Sequence, residues 1–467
     1  MSGIIIWSSK STGLTGLAVA LVCLQARAQS APEMLTVRAA VDAALRNYPS
    51  IQVSQEQLNG AAAGIALART AYLPHIDTLA QVNRASRNNV FGTALPQSVI
   101  PSLSGPVIGS NNFGSAWGSA VGGLVTWEPF DFGLRQAGAD AAGATRAQAA
   151  AALKRTEFEV AVATADAFLT LTAAQEMVRA AQAGVDRAEV TQRSTAALVG
   201  AELRPGADAS RSEAELAAAR SQWIQAQQAT AVARASLARF TGGEPERMFV
   251  ATGPLLQLPP DHKPAPLNAA VNPASLEQSA VVEQARAQLR ILERSYFPRF
   301  YLQGSVSARG TGAETNGNIL GGVNGLAPTV QNYALGLTVS FPVMDKPAIQ
   351  ARESAQASAI KAQEARARQI ATDLKAQWNA AVATLEGARR LASNVPTQVA
   401  AAKTASVQAT ARYQAGFGTI TDVAEAQRLL TQAEIDEALA KLSVWRGLLA
   451  VATAAGDLQP FLSEASQ

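Results

Sequence analysis
The stretch Arg412 to Gln427, RYQAGFGTITDVAEAQ, lies between two long helix-forming runs. Upstream, one extends from Pro347 with no glycine between Gly387 and Gly416; downstream, the other continues to Ala455. Gly416 and Gly418 give the backbone the freedom a tight reversal needs, and Thr421 and Asp422 are residue types that restart a helix as N-caps. The stretch therefore reads as the tip of a helical hairpin. An earlier counterpart has Gly200 as its turn glycine and Asp208 as its restart, followed by SEAELAAAR where the later copy has AQRLLTQAE. Two such hairpins predict a chain built twice over.

Working outward, the duplication extends to both ends. A helix-like stretch, Leu35 to Thr70, stops at Tyr72-Leu73-Pro74, and an equivalent one stops at Tyr296-Phe297-Pro298. Pro49 precedes Pro74 by 25 residues and Pro273 precedes Pro298 by 25, so both prolines share an offset of 224. A period near half the chain is too long for a solenoid. After each Tyr-x-Pro the hydrophobic period becomes two. Phe300, Leu302, Val306 and Ala308 alternate with Tyr301, Gln303, Ser305 and Ser307, and Tyr333, Leu335, Leu337, Val339 and Phe341 alternate with small or polar residues. In the first copy Trp117, Val121, Val125 and Trp127 share a face. Ten strand residues rise about 33 Å, so at a tilt near 40° the two tryptophans stand about 25 Å apart along a membrane normal, the spacing of an aromatic girdle. A buried sandwich strand is the competing reading. Asn88 to Asn112 and Gly310 to Gln331, rich in Gly, Asn, Ser and Pro, read as exposed loops.

The second strands end in related tails, Trp127 to Asp131 and Phe341 to Asp345, at an offset of 214. Helical runs of 67 residues follow each, Gly133 to Val199 and Pro347 to Tyr413. Each is about 100 Å long, far beyond a globular helix. The first holds 22 alanines in its 67 residues. A seam stepping by three and four runs through Trp378, Ala381, Leu385, Ala388, Ala392, Val395, Val399, Ala402, Ser406, Ala409 and Tyr413, with Leu171, Ala174, Val178, Ala181, Val185 and Ala188 in the first copy. Such seams predict coiled-coil packing with small knobs, and Pro396 predicts a bend. The organisation is a leader, 1–28; a first repeat, 29–240; a proline-rich connector, 241–272; a second repeat, 273–456; and a tail, 457–467.

Composition bounds the function. In 467 residues, 5% aromatic and 16% charged is thin for several compact cores. Against 39 Lys and Arg stand 36 Asp and Glu, leaving +3 with no basic block, so nucleic acid is not a predicted partner. Lys10, the apolar run Leu14 to Leu24 and Ala26-Arg27-Ala28 form a secretory signal peptide with cleavage after Ala28; a lipid-anchored Cys23 is the rival, though Val22 before it is bulky. Past residue 28 no run of 18 apolar residues predicts a transmembrane helix. The only histidines, His75 and His262, lie far apart in the sequence, and no phosphate loop, nucleophile elbow or dinucleotide fingerprint appears. Neither an enzyme nor a cofactor or metal site is predicted.

The order of helix, Tyr-x-Pro, strand pair, Asp-ended tail, long helix, glycine turn and Asp-started helix, all repeated, resembles the TolC-like outer membrane efflux protein family. The tip motif Y-x-A-G-x-x-T-I-x-D-V is its most specific element. The resemblance implies a mainly α chain with a membrane β-barrel: duplicated coiled-coil hairpins forming an α-barrel, and four strands per chain completing a twelve-stranded barrel in a homotrimer. It implies a passive outer-membrane channel with a periplasmic tunnel in a Gram-negative bacterium, served by a periplasmic adaptor (membrane fusion) protein and an inner-membrane pump, and bathed in outer-membrane lipid. Independently, four strands leave two open edges that lipid does not tolerate, so closure requires other copies.

The resemblance also implies a periplasmic aperture of Asp208, Tyr413, Asp422 and Glu425, tip turns at Gly200, Gly416 and Gly418, and a girdle including Trp117, Trp127, Tyr333 and Phe341. Rings of carboxylates at a narrow aperture favour cations. Capping by Asp208 and Asp422, and a solvated Glu425, are the plainer alternatives. Two departures stand out: Gly418 occupies the place where some members carry an arginine that ties the tip, and eight residues separate Gly200 from Asp208 against six between Gly416 and Asp422, making Arg204-Pro205 an apparent insertion. A protein-secretion duct, or a periplasmic adaptor or filament without membrane strands, are the alternative functions.

Overall fold
A computed structural model describes residues 34–86, 115–314 and 318–466. The signal-peptide reading, Cys23 included, and the loop Asn88 to Asn112 lie outside the described residues, as do 315–317 of the second loop. The chain order is α1 (Val37–Asn47), α2 (Pro49–Thr70), β1 (His75–Ser86), β2 (Ser115–Phe130), α3 (Leu134–Gly200), α4 (Gly206–Thr241), α5 (Pro273–Arg294), β3 (Arg299–Thr311), β4 (Val330–Ser340), α6 (Lys346–Gln414), α7 (Ile420–Ala455) and α8 (Gln459–Glu464).

The single helical stretch expected from Leu35 to Thr70 is in fact two helices. Tyr48 precedes Pro49 and is extended, at φ −72° and ψ 124°, because the proline ring excludes the helical region for its predecessor. Pro49 then opens α2, and Pro273 opens α5 behind the cap of Asn272, whose side chain accepts from the Ala274 N–H at 3.0 Å. The shared proline spacing thus records two helices of 22 residues, each leading into a strand.

The strands form one antiparallel sheet in the order β1-β2-β3-β4. Its register aligns Ile76 with Val125, Val125 with Gly304, Trp127 with Leu302, Leu302 with Leu337, and Val306 with Tyr333. One face is therefore apolar across all four strands, and it is open: Val306 is 71% and Tyr333 87% exposed. The other face carries Asp77, Gln81, Glu128, Gln303 and Arg299, with Arg299 donating to both Glu128 carboxylate oxygens at 2.9 and 2.8 Å. An apolar outside and a polar inside are the two faces of a membrane barrel wall, not of a sandwich.

The long helices are as long as the sequence predicts, 67 residues for α3 and 69 for α6, and α6 continues through Pro396. The α6 seam from Ala381 to Tyr413 is buried, Val399 and Ala409 partly, and the α3 seam is buried except at Val178, which is half-exposed. Glycine permits the closest approach: a Cβ on Gly447 of α7 would fall 2.9 Å from the Leu385 Cα of α6. The stretch Ile420–Ala455 is long and apolar enough to cross a bilayer by composition. Leu442, Val444 and Trp445 are nevertheless no more than 2% exposed within the bundle, so that apolarity serves helix packing.

The largest core joins α1, mid-α3, the end of α4, the connector, α7 and α8. The connector is woven into it by backbone bonds between Leu35 and both Phe249 and Ala251, and by Trp445 Nε1 donating to the Gln257 carbonyl at 3.0 Å.

Candidate functional site
The two hairpin turns share one backbone hydrogen-bond pattern, residue for residue. At the second, the Gly416 N–H reaches the Tyr413 carbonyl at 3.1 Å and the Phe417 N–H reaches Arg412 at 2.9 Å, with Gly416 left-handed at φ 89°. At the first, Glu202 reaches Val199 and Leu203 reaches Leu198, both at 2.9 Å, and the left-handed residue is Glu202, at φ 59°. These are paired helix-terminating turns. Gly200 is the last residue of α3 and Gly418 has no left-handed φ, so neither supplies the reversal expected of it.

Counted from the left-handed residues, both turns have the same length. Glu202 stands to Asp208 as Gly416 stands to Asp422, at the 214-residue offset already set by the strand tails. Arg204-Pro205 is therefore no insertion: Arg204 is the counterpart of Gly418, and Pro205 of Thr419. The apparent extra length came from pairing Gly200 with Gly416.

The N-caps explain what the two aspartates do. Thr419, not Thr421 or Asp422, caps α7: its hydroxyl accepts from the Asp422 N–H at 3.2 Å while Asp422 accepts from the Thr419 N–H at 3.0 Å. Hydrogen bonding to the carboxylate from the Thr419 backbone N–H, and secondarily from the Thr419 hydroxyl, holds the exposed Asp422 carboxyl below its ordinary value of 3.8. Pro205 caps α4 without a hydroxyl or an N–H, so the same box is impossible there. Asp208 instead accepts from the Tyr413 hydroxyl at 3.0 Å. Side-chain capping by Asp208 is thus replaced by a bond between hairpins.

Tyr413 is the meeting point. It is 2% exposed among Ile420, Val423 and Leu198, and Arg204 crosses from the first tip to lie 4.4 Å above its ring and donate to its carbonyl. Burial, and the carboxylate it donates to, raise the phenol pKa above 10.0, so the hydroxyl remains a donor. Further up, Arg187 donates to both Glu434 oxygens at 3.1 and 2.8 Å and to Thr431 at 2.8 Å, and Gln427 to Thr191 at 2.6 Å. The structure therefore brings together Asp208 and Tyr413, adds Arg204, and leaves Asp422 and Glu425 exposed on α7. Arg204 was legible through the offset of 214, which places it opposite Gly418.

At the sheet end, Trp117 and Trp127 lie on the apolar face near opposite ends of β2, and Trp127 Nε1 donates to the Tyr72 carbonyl at 3.1 Å. Tyr333 is on the same face of β4; Phe341 just follows β4, its ring 5.4 Å from Tyr296.

The profile of a family described as outer membrane efflux protein matches residues 40–243 and 268–457, most of the chain. No curated protein matches. Among solved structures, the outer-membrane channel OprN is 19% identical with a TM-score of 0.69, covering 90% of this chain and 89% of its own. CusC is 13% identical at a TM-score of 0.73, covering 90% and 92%. CmeC of Campylobacter jejuni is 14% identical at 0.72, covering 92% and 89%. At such identities the likeness is one of fold.

Proposed function
The chain belongs to the outer membrane efflux protein family, and from that membership we infer that it is the passive outer-membrane channel of a tripartite export system. The observation that carries this reading is the continuity of the chain from one architecture into the other: a four-stranded sheet with an apolar outward face leads directly into helices of 67 and 69 residues. Such helices reach about 100 Å from the membrane, the span of a duct and not of an anchor.

Three copies closing a twelve-stranded barrel supply the missing sheet partners. The periplasmic adaptor and the inner-membrane pump meet the helical tips, and the pump supplies the energy. Trp117, Trp127, Tyr333 and Phe341 serve as the girdle at the lipid interfaces. At the tips, the Asp208–Tyr413–Arg204 contact holds the hairpins of one chain together and keeps the aperture narrow, and its release widens the path. Asp422 and Glu425, repeated three times, give the aperture its preference for cations.

The test is single-channel conductance of the purified protein in a planar bilayer, with its mass measured in detergent. Small, cation-selective steps from a trimer are expected. A monomer that neither inserts nor conducts overturns the channel and leaves a periplasmic helical adaptor.

A further inference from the structure
The apolar face of the sheet carries a single charged side chain among the described strand residues, Arg84. It stands opposite Trp117 in the β1–β2 register, at the ends of both strands farthest from the helices. The side chain is exposed, its Nε donates to the Ser115 hydroxyl at 3.1 Å, and its guanidinium lies 5.4 Å from the Trp117 ring centre. Nε is thereby engaged, and among the described residues none accepts from the terminal nitrogens.

The height of this arginine is set by its neighbours. Val82, one step nearer the helices, is exposed and apolar. At Gly310, opposite Ser119, any side chain would strike the Ala327 and Gly325 carbonyls, so the β3–β4 loop closes over the sheet there and the bare apolar surface ends. Arg84 therefore sits where hydrocarbon gives way to headgroups. An arginine facing lipid costs about 2–4 kcal/mol at the bilayer midplane and about 0–1 near an interface, so a height near the interface tolerates the charge with no carboxylate beside it among the described residues. The group available at that height on the outer side is a lipid phosphate, whose oxygens match a planar guanidinium bidentately.

We propose that Arg84, steadied on Trp117 and Ser115, binds the phosphate of an outer-leaflet lipid and so fixes the depth and lipid shell of the barrel. The site rests on the membrane placement of the sheet and is separate from the helical tips.

The experiment titrates the full-length trimer in detergent with lipid A and with lipid A stripped of both phosphates, counting retained lipids by native mass spectrometry. A charge-assisted pair predicts that the wild type prefers the phosphorylated form by about tenfold. Arg84→Gln loses that preference while still retaining the stripped form, and Arg84→Lys keeps part of it; single-channel conductance is unchanged in both. An undiminished preference in Arg84→Gln overturns the proposal, as does equal loss of both lipids, which would make Arg84 a packing residue. Displacement by inorganic phosphate at buffer concentration overturns it in favour of a free-anion site. Failure of the wild type to retain either lipid would undo the membrane placement itself.

Discussion
Proline at 205 frees Asp208 for work between hairpins, whereas threonine at 419 occupies Asp422 in its own helix cap. From this difference follow two separable expectations. Arg204→Ala and Tyr413→Phe each remove a contact that joins the tips and touch nothing at the sheet. A hydrogen bond to a charged group contributes about 1.5–3 kcal/mol, so losing one multiplies the widened population by about ten or more. Both variants should show larger conductance steps in planar bilayers; steps of wild-type size would remove the contact from the gate. Asp422 and Glu425 should instead govern block by multivalent cations added on the periplasmic side, and replacing both by alanine should weaken it. The folded pKa of Asp422 lies below 3.8, so the stability its cap contributes is present above that value and is lost as pH falls through the lowered one. The Asp422 share of the block should thus survive acidification to a lower pH than an ordinary exposed aspartate would allow. Block that is already lost at pH 5 in a Glu425→Gln background would assign it to another group.

At the scale of elements, helix contact is governed by where side chains are absent. Gly447→Ala places a methyl against Leu385 and should destabilise the α6–α7 hairpin by about 1–3 kcal/mol, whereas Gly387, with no atom within 4 Å of an added Cβ, should tolerate alanine and gain about 1 kcal/mol of helix propensity. Opposite shifts in the thermal melt of helical circular dichroism check the pair; shifts of the same sign would mean that the approach at Gly447 is not tight. Elements of this kind were legible because their signals are local and repeat: alternation for the strands and three-and-four steps for the seams, whereas the helix start at Pro49 was read through as one continuous helix. The turns were less legible. A glycine in a turn draws attention, yet left-handed backbone is set by the position after the helix end, and Glu202 occupies it in the first hairpin. That one misplacement hid both the equal length of the turns and the equivalence of Arg204 with Gly418. The contact of Tyr413 with Asp208 and Arg204 joins residues more than 200 positions apart, and side-chain proximity at that separation has no periodic trace in a sequence.

For the whole molecule, the sheet poses the question that the helices do not. β1 and β4 each bond to one neighbour and lie at opposite edges, three strand spacings or about 14 Å apart. A disulfide requires Cα atoms within about 7 Å, so no cysteine on β1 can reach one on β4 of the same chain. In a closed barrel, however, β1 of one copy lies against β4 of the next. Pairs of cysteines scanned along the polar face, Gln81→Cys with Asn332→Cys or Asp77→Cys with Thr338→Cys, in a Cys23→Ser background, should therefore give covalent dimers and trimers on oxidation in membranes. A ladder from one register and not from its neighbours would also fix how the copies are staggered, which one protomer leaves open. Exclusively monomeric chains at every register would mean that the edges are covered in some other way, and the hairpins would then have no barrel to extend.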